Sequence, residues 1–398
     1  MRKMWSKKVG TILFMLTLVL AVAGCGSNNG AGNTNTNANA AAGNANASGN
    51  ETGTAAGNTA DNTAGSTAEN AAGNAAANAP AEDPNDKSDD EPLTVYLNDF
   101  DEIIGPEFEK ATGYKVNLVV GNGAETMSRI EAEKGNPHWD VVWMDALPSI
   151  HSLGEQGQLL EGWQPENLKN LTDFTKPIVP TNNAYFPTGV HAAGVIIYNT
   201  KLITADKAPK SWADLAKPEY KGLVGMADPA VAAPAYPFVS WFFENKGMDE
   251  GKTFFKGMLD NGMHVYPKNP NVATAVAGGE IQVAAIQESN AYTLKKDGEP
   301  IEIVWPEEGA PASVRVAAIQ KESTHMKAAK AFIEFLLDPK TQQYLIDQGA
   351  ESYFEPSAVG VNAKDDRAKD TKLVYAQAPW AAEHEAEIKQ WFADQSVK

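Results

Sequence analysis

Acidic and amide side chains follow several predicted strands of this sequence, at the points where those strands give way to turns. They are Asn98, Asp99, Asp145, Gln287, Glu288 and Asn290, and Tyr292 follows shortly after the last of them. Side chains of these types hydrogen-bond to hydroxyls and attract amines, and an aromatic ring beside them offers an apolar wall. The pattern therefore favours a binding site for a small polar organic solute.

Motifs of enzymes and nucleotide-binding proteins are incomplete. Residues 247–253 resemble a phosphate-binding loop, but three residues rather than four separate the glycines and no strand precedes them. The segment Gly121-Asn122-Gly123 follows a strand yet lacks the third glycine of a dinucleotide fingerprint. The six histidines form no pair at metal-ligand spacing, and no Gly-x-Ser-x-Gly sequence exists. We predict no catalytic residue, no metal site and no cofactor.

The elements that must position the polar side chains alternate between strand and helix. Predicted strands cover residues 93–97, 115–120, 139–143, 222–227, 263–266, 281–286 and 301–305, with helices between most of them. Such alternation predicts mostly parallel sheets with helices on both faces. In open sheets of this kind, ligands bind outside the carboxyl ends of the strands, which is where the polar turns lie.

Two extended segments carry the chain between halves of the molecule. The first is residues 184–199, which contain Pro187 and Gly189, and the second is residues 312–319. Two crossings and two sheet-bearing halves predict two lobes that share a hinge, with the polar turns of both lobes facing one cleft. We expect Asp228-Pro229 to open a helix in the second lobe, with Asp228 as its cap.

The first 92 residues differ from the rest. Four cations precede an apolar run that ends at Cys25, the chain's single cysteine, which predicts a secretion signal over residues 1–24. Residues 25–92 are rich in Asn, Gly, Ala and Thr and then acidic, and a segment with so little to bury is predicted to be a disordered linker. A lone cysteine makes no internal disulfide, so the fold must be held by its core.

The chain is acidic, with a formal net charge of −18 that becomes −22 once the four cations of the signal are removed. Binding of nucleic acid requires a basic surface, so nucleic acid is not expected as a partner. Direct binding to anionic lipid by charge is disfavoured for the same reason.

Several segments together resemble the extracytoplasmic solute-binding proteins of ABC importers, in particular their iron, phosphonate and sugar-phosphate branch. They are Pro137-His138-Trp139-Asp140-Val141-Val142-Trp143, Val195-Ile196-Ile197-Tyr198-Asn199-Thr200, Pro209-Lys210-Ser211-Trp212-Ala213-Asp214-Leu215, Tyr220-Lys221-Gly222, Asp228-Pro229, Pro306-Glu307-Glu308-Gly309 and residues 328–343. Residues 22–25, Val-Ala-Gly-Cys, also resemble the lipobox of bacterial lipoproteins, in which the cysteine carries a lipid.

The resemblance implies a type 2 periplasmic-binding fold, an α/β architecture of two Rossmann-like lobes joined by a two-crossing hinge. It places lobe 1 at residues 93–187 and 314–365, lobe 2 at 188–313 and a C-terminal helical segment at 366–398. It implies a monomeric, lipid-anchored receptor on the extracytoplasmic face of the membrane that delivers its solute to an ABC permease. The predicted ligand-binding residues are Asn98, Asp99, Asn122, Gly123, Asp145, Asn199, Asp228, Gln287, Glu288, Asn290 and Tyr292, with Cys25 as the lipidation site.

The solute and the role stay open at this point. Ferric-iron binders of the family would show a histidine in the first strand–helix turn and two adjacent tyrosines after residues 281–286, whereas this chain has neither the histidine nor the pair. An organic solute is therefore the first expectation and ferric iron the second. A ligand-presenting surface sensor, and last an extracellular hydrolase, could be built on the same scaffold, and the sequence does not separate these roles from transport.

Overall fold

The computed structural model describes residues 84–349 and 351–396. The predicted signal, Cys25 and all but the last residues of the predicted linker lie outside this range. No helix in the described part of the chain combines the length and the apolarity that crossing a bilayer requires.

The strands and α-helices alternate as predicted in the first third of the described chain and less regularly after it. In the first half they are β1 (Leu93–Leu97), α1 (Asp101–Thr112), β2 (Val116–Val120), α2 (Gly123–Ala132), β3 (Val141–Met144), α3 (Leu147–Glu155), β4 (Phe186–Ala192), β5 (Val195–Asn199) and β6 (Val224–Ala227). In the second half they are α4 (Ala235–Lys246), α5 (Met248–Asp260), β7 (His264–Tyr266), α6 (Asn269–Gly278), β8 (Val283–Ile286), α7 (Glu288–Lys296), β9 (Ile301–Val304), β10 (Ala310–Ile319), α8 (Met326–Leu337), α9 (Pro339–Gln348), β11 (Glu355–Pro356), β12 (Leu373–Val374) and α10 (Ala378–Ser396).

Two sheets form the two lobes. The lobe 1 sheet has the strand order β11-β4-β10-β3-β1-β2, with β12 beside β10, and the lobe 2 sheet has the order β7-β6-β8-β5-β9. Strands β1, β2 and β3 run parallel, as do β6, β7 and β8, so the carboxyl ends of each set share one edge. The prediction of mostly parallel sheets is wrong, because the strands that cross between the lobes join each sheet in the opposite direction: β10 pairs antiparallel with β3 and β4, and β5 with β8 and β9. Each sheet is covered on both faces by buried apolar side chains, which gives each lobe its own core.

Local sequence signals explain several element ends. Gly113 ends α1 with φ of 84°, a left-handed conformation that favours glycine. Asn122 begins α2 in a reciprocal capping box with Glu125. The predicted helix start at Asp228-Pro229 is wrong: residues 228–234 form turns and α4 begins at Ala235. The reason is Pro234, because a residue that precedes proline is disfavoured in the helical conformation.

The hinge contains the two predicted crossings and one more. Strand β4 of lobe 1 continues through Ala193 and Gly194 into β5 of lobe 2, and the chain returns from β9 into β10. The predicted lobe boundaries at 187/188 and 313/314 fall inside β4 and β10, which pair with each other within the lobe 1 sheet. The chain then crosses a third time, since β12 lies beside β10 and α10 buries Ala381, Ile388 and Phe392 in the lobe 2 core.

Candidate functional site

A cavity of about 340 Å³ lies between the two lobes. Its walls come from the ends of β1 and β2 in lobe 1 and from the start of α6 and the end of β8 in lobe 2. Six of the predicted ligand-binding residues line it: Asn98, Asp99, Asn122, Gly123, Gln287 and Asn290. These six residues, which follow predicted strands far apart in the sequence, are therefore brought together by the fold.

The lobes touch at the edge of this cleft. A Cβ atom added to Gly123, the first residue of α2, would lie 2.8 Å from both Cα and Cβ of Ala233 in lobe 2. Contact at that distance involves backbone, so it could be relieved only by separating the segments. Gly123 thus permits a close approach of the two lobes at this point.

Arg315 lies at the base of the cleft, in the middle of hinge strand β10. Its Nη2 donates to Asp99 and to Oδ2 of Asp145 at 2.5 Å, and its Nη1 donates to Asn98 Oδ1 at 3.3 Å. The guanidinium carbon lies 4.9 Å from the ring centre of Phe100 and 5.2 Å from that of Trp143. The guanidinium is therefore held between two aromatic rings and two carboxylates.

Asp99, Asp145, Arg315 and Glu351 together form a cluster that we call the acidic floor. Asp99 and Glu351 line the cleft, and Glu351 and Gln287 also line a second cavity of about 10 Å³ beneath it. Burial raises the pKa of Asp99, of Asp145 and of Glu351, and Arg315 opposes that rise in all three cases. One guanidinium does not offset three carboxylates, so their mutual repulsion contributes to the raised pKa of Asp99 and Glu351.

His191 does not supply the missing positive charge. Its Nε2 lies 3.7 Å from Asp145 Oδ2 and 3.1 Å from the amide nitrogen of Gln287. Burial and then Arg315 lower the pKa of His191 to about 3. The imidazole is therefore neutral at physiological pH and acts beside Asp145 as a hydrogen-bonding group.

Three buried polar atoms at the floor lack a hydrogen-bond partner of normal geometry among the described residues: Asp145 Oδ1, Ser289 Oγ and Glu351 Oε2. Asp145 is fully buried and Ser289 nearly so. The Ser289 hydroxyl lies close enough to Glu351 to lower the pKa of that carboxyl. Unpaired buried polar atoms cost about 1–3 kcal/mol each, so their concentration at one place is evidence for a ligand-binding role.

Two of the predicted ligand-binding residues, Glu288 and Tyr292, lie in the hinge instead of the cleft. Glu288 is fully buried and accepts from Arg367 Nε at 2.7 Å, from Arg367 Nη2 at 3.1 Å and from the backbone nitrogen of Ala192 at 2.7 Å. Arg367 also donates to Glu355. We call Glu288, Arg367 and Glu355 the hinge cluster, because it ties α7 of lobe 2 to β4 and β11 of lobe 1 and to the third crossing.

Tyr292 is likewise committed within the protein. Its hydroxyl accepts from the backbone nitrogen of Ala368 at 2.7 Å, and its ring stacks on Tyr353 with a centroid separation of 4.3 Å. Both contacts are made to segments near the third crossing, so the side chain of Tyr292 stabilises the hinge region.

Asn199 and Asp228 are not brought together with the others. Asn199 ends β5, which runs antiparallel to β8, so it lies at the edge of the sheet away from the cleft; its buried side chain donates to Val276 O at 2.9 Å. Asp228 accepts from the nitrogen of Ala230 at 2.8 Å and lines a separate groove with Tyr266. Asn199 is the last residue of β5 and Asp228 follows β6, and each side chain accepts a hydrogen bond from the backbone nitrogen two residues further on, which stabilises the local turn.

Arg315 and Glu351 were not among the residues predicted from the sequence to bind the ligand. Arg315 had a signal, since it is the one charged residue in a ten-residue strand that is buried throughout. A buried arginine requires a carboxylate partner, and Asp99 and Asp145 are acids that follow predicted strands of the same lobe. Glu351 follows the end of α9 with no pattern around it that distinguishes it from a surface acid.

No group of three or more His, Cys, Asp or Glu side chains within residues 84–349 and 351–396 has a geometry that could hold a metal ion. The cleft lining offers a solute the carboxylates of Asp99, Glu125 and Glu351, the ammonium group of Lys268 and the amides of Asn98, Asn122, Asn269, Gln287 and Asn290.

Known proteins share both the sequence pattern and the fold. The family described as "Bacterial extracellular solute-binding protein" matches residues 149–376. The spermidine/putrescine-binding periplasmic protein of Escherichia coli is 28% identical over 269 residues, which cover 63% of this chain and 74% of that protein. The major ferric iron-binding protein of Neisseria meningitidis serogroup B is 25% identical over 277 residues, 67% of this chain and 82% of that protein.

Solved structures show the same fold. The periplasmic binding protein AfuA of Actinobacillus pleuropneumoniae, with exogenous fructose-6-phosphate bound, superposes with a TM-score of 0.69 at 23% identity, over 77% of this chain and 99% of AfuA. Iron-bound HitA of Pseudomonas aeruginosa gives a TM-score of 0.68 at 24% identity, over 76% of this chain and 99% of HitA.

Proposed function

This chain belongs to the bacterial extracellular solute-binding proteins, the receptors of ABC importers, and from that premise we propose that its interlobe cleft closes on a small polar solute. The predicted type 2 periplasmic-binding fold is confirmed. The relatives are binding proteins rather than enzymes, which agrees with the expectation of a non-enzyme.

The observation that carries the proposal is the composition of the cleft walls. Asn98, Asp99 and Glu351 come from lobe 1, and Gln287 and Asn290 come from lobe 2. A solute that contacts both sets binds the closed arrangement more tightly than the open one, so it shifts the population toward closure. The permease would then recognise the closed form.

Closure of the two lobes can be tested at the contact between Gly123 and Ala233. Gly123→Ala places a methyl group against the backbone of Ala233, so the lobes cannot approach as closely, while the fold of each lobe is retained. We expect solute affinity to fall about tenfold, which corresponds to about 1.4 kcal/mol. Gly135→Ala is the matched control, because nothing lies within 4 Å of its added Cβ. Equal affinity of both variants and wild type, measured by calorimetry, would contradict closure at this contact.

Names of relatives suggest several solute classes, namely polyamines, ferric iron and aminoethylphosphonate. We propose an organic solute rather than ferric iron. Ferric-iron binders would have two adjacent tyrosines in the segment that follows β8, whereas this chain has only Tyr292 there, and its hydroxyl already accepts a hydrogen bond from the backbone nitrogen of Ala368. A thermal-shift screen with polyamines, phosphonates, hexose phosphates and ferric citrate tests this order. A solute at one hundred times its dissociation constant adds about 2.7 kcal/mol of stability.

The same screen supplies the solute for a test of transport. Deletion of the gene should abolish uptake of the solute that raises the melting temperature most. Retained uptake, with loss only of gene induction by that solute, would instead support a ligand-presenting sensor. Turnover of the solute by pure protein would support a hydrolase.

We further propose that Cys25 carries a lipid and that the monomeric receptor is tethered to the outer face of the cell membrane through residues 25–92. The support is the sequence Val-Ala-Gly-Cys after an apolar run. Cys25→Ala should move the protein from the membrane fraction into the medium or periplasm. Continued membrane association of that variant would contradict lipid anchoring.

A further inference from the structure

The acidic floor carries more negative than positive charge. Arg315 is the one cation that contacts Asp99 and Asp145 in the described structure, Glu351 adds a third carboxylate, and His191 is neutral. Two of the three carboxylates thus have no counter-charge in contact with them in this partly buried site. Lys268 and Glu125, which also line the cleft, add one charge of each sign and leave the balance unchanged. A solute that brings positive charge would relieve this repulsion, whereas an anionic group would add to it.

Hydrogen-bonding capacity at the floor points the same way. Asp145 Oδ1 and Glu351 Oε2 are acceptors without a partner among the described residues, and the nearly fully buried Ser289 hydroxyl beside Glu351 has none of normal geometry. Ser289 is not an acid, so it is evidence independent of the charge count. An ammonium group supplies three donors and one positive charge, which suits a set of acceptors of this kind.

Arg315 is not free to bind an anionic solute. Its guanidinium is bonded to Asp99, Asp145 and Asn98 and is enclosed by Phe100 and Trp143. A phosphate or carboxylate at the floor would have to displace carboxylates from that arginine. A preformed metal site is not indicated either, since no suitable group of three ligands occurs in the described residues.

We propose that the solute carries an ammonium group, and that this group binds at the acidic floor between Glu351 and the Asp99–Asp145 pair. This inference rests on the proposed function, because it assigns the chemistry of the solute that the cleft receives. The rest of the solute would extend into the 340 Å³ cavity toward Asn122 and Asn290.

Matched pairs of probes that differ in the ammonium group test the proposal by calorimetry on the full chain. The pairs are putrescine against 1,4-butanediol and 2-aminoethylphosphonate against ethylphosphonate. We expect an amine to bind and its partner without the amine to bind at least tenfold more weakly. Equal binding within a pair, or tighter binding of a hexose phosphate or ferric citrate than of any amine, would overturn this inference and leave the proposed function standing. Absence of binding by every solute of the wider screen would overturn both.

Variants locate the amine within the cleft. Glu351→Gln keeps the shape of the side chain and removes its charge, and we expect roughly ten- to hundredfold weaker amine binding, the range for loss of a charged hydrogen bond. Glu131→Gln, on the exposed surface of α2, removes the same charge outside the cleft and should change affinity less than twofold. Asp145→Asn is a second test at the floor. Unchanged amine affinity in Glu351→Gln and in Asp145→Asn, with both folded, would overturn the assignment.

Discussion

Two buried clusters, each built on one arginine, differ in how completely their carboxylates are paired. In the hinge cluster, both oxygens of Glu288 accept hydrogen bonds and the second acid, Glu355, has a side chain 40% exposed to water. In the acidic floor, Arg315 faces three acids and two carboxylate oxygens lack a partner among the described residues. Burial raises the pKa of Glu288 in the hinge cluster and the pKa of Asp99, Asp145 and Glu351 at the floor, so burial alone does not distinguish the two clusters.

The difference indicates different roles. A buried ion pair whose atoms are all bonded holds segments in place, and the hinge cluster joins the first and third crossings in this way. A cluster with surplus charge and unpaired acceptors is destabilising by itself, and such sites are retained where a ligand supplies the missing partner. Mutations should therefore affect the two clusters in opposite directions.

The largest effect is expected in the hinge cluster. Arg367→Ala leaves Glu288 buried without its counter-charge, and we expect the free energy of unfolding to fall by about 3–5 kcal/mol. Urea denaturation measures this directly. Glu355→Gln is the control, because its half-exposed pair should contribute less than about 1 kcal/mol. A loss in Arg367→Ala no larger than that in the control would contradict the role of the hinge cluster.

A smaller loss is expected when Glu288 is neutralised. Glu288→Gln keeps the side-chain shape but weakens the bonds from Arg367 and from the Ala192 nitrogen, so stability should fall by about 1–3 kcal/mol. Calorimetric melting of the unliganded protein is the appropriate measurement. If this variant were as stable as wild type, the two clusters would not differ as described.

The same substitution at the floor should have the opposite sign. Glu351→Gln removes one of the surplus charges, so the unliganded protein should gain about 0.5–2 kcal/mol of stability while losing affinity for its solute. Melting temperatures with and without solute separate the two effects. Destabilisation of the unliganded protein by Glu351→Gln would contradict this prediction, because it would show that the Glu351 carboxylate makes a stabilising interaction within the protein.

The pH dependence gives the smallest effect. Burial, and then repulsion from Asp99, raises the pKa of Glu351 above its usual 4.5, so the folded protein holds this proton more tightly than the unfolded chain does. The resulting stability is complete below 4.5 and is lost as the pH rises through the folded-state pKa. The advantage of Glu351→Gln over wild type should therefore be largest at neutral pH and shrink as the pH falls toward 4.5. An advantage that is constant with pH would contradict a raised pKa.

The fold and six of the residues that line the interlobe cleft were predictable from the sequence, whereas the contacts of Glu288 and Tyr292 in the hinge were not. Gln287 and Glu288 are adjacent, yet one lines the cleft and the other faces the hinge, because Gln287 has a non-helical backbone with ψ of 138° whereas Glu288 is the first residue of α7. Strand alternation places both residues at the same sheet edge but does not fix where the backbone turns into the helix. Arg367, which donates two hydrogen bonds to Glu288, lies on the third crossing, and no strand pattern in the sequence predicted that crossing.

A crystal structure of the protein grown with putrescine would show directly whether an ammonium group binds at the acidic floor. We expect closed lobes and one nitrogen of the diamine within hydrogen-bond distance of Glu351 and of Asp99 or Asp145, with the Glu288–Arg367 pair unchanged. A diamine bound in the cleft away from these carboxylates, or bound by Glu288, would contradict this expectation.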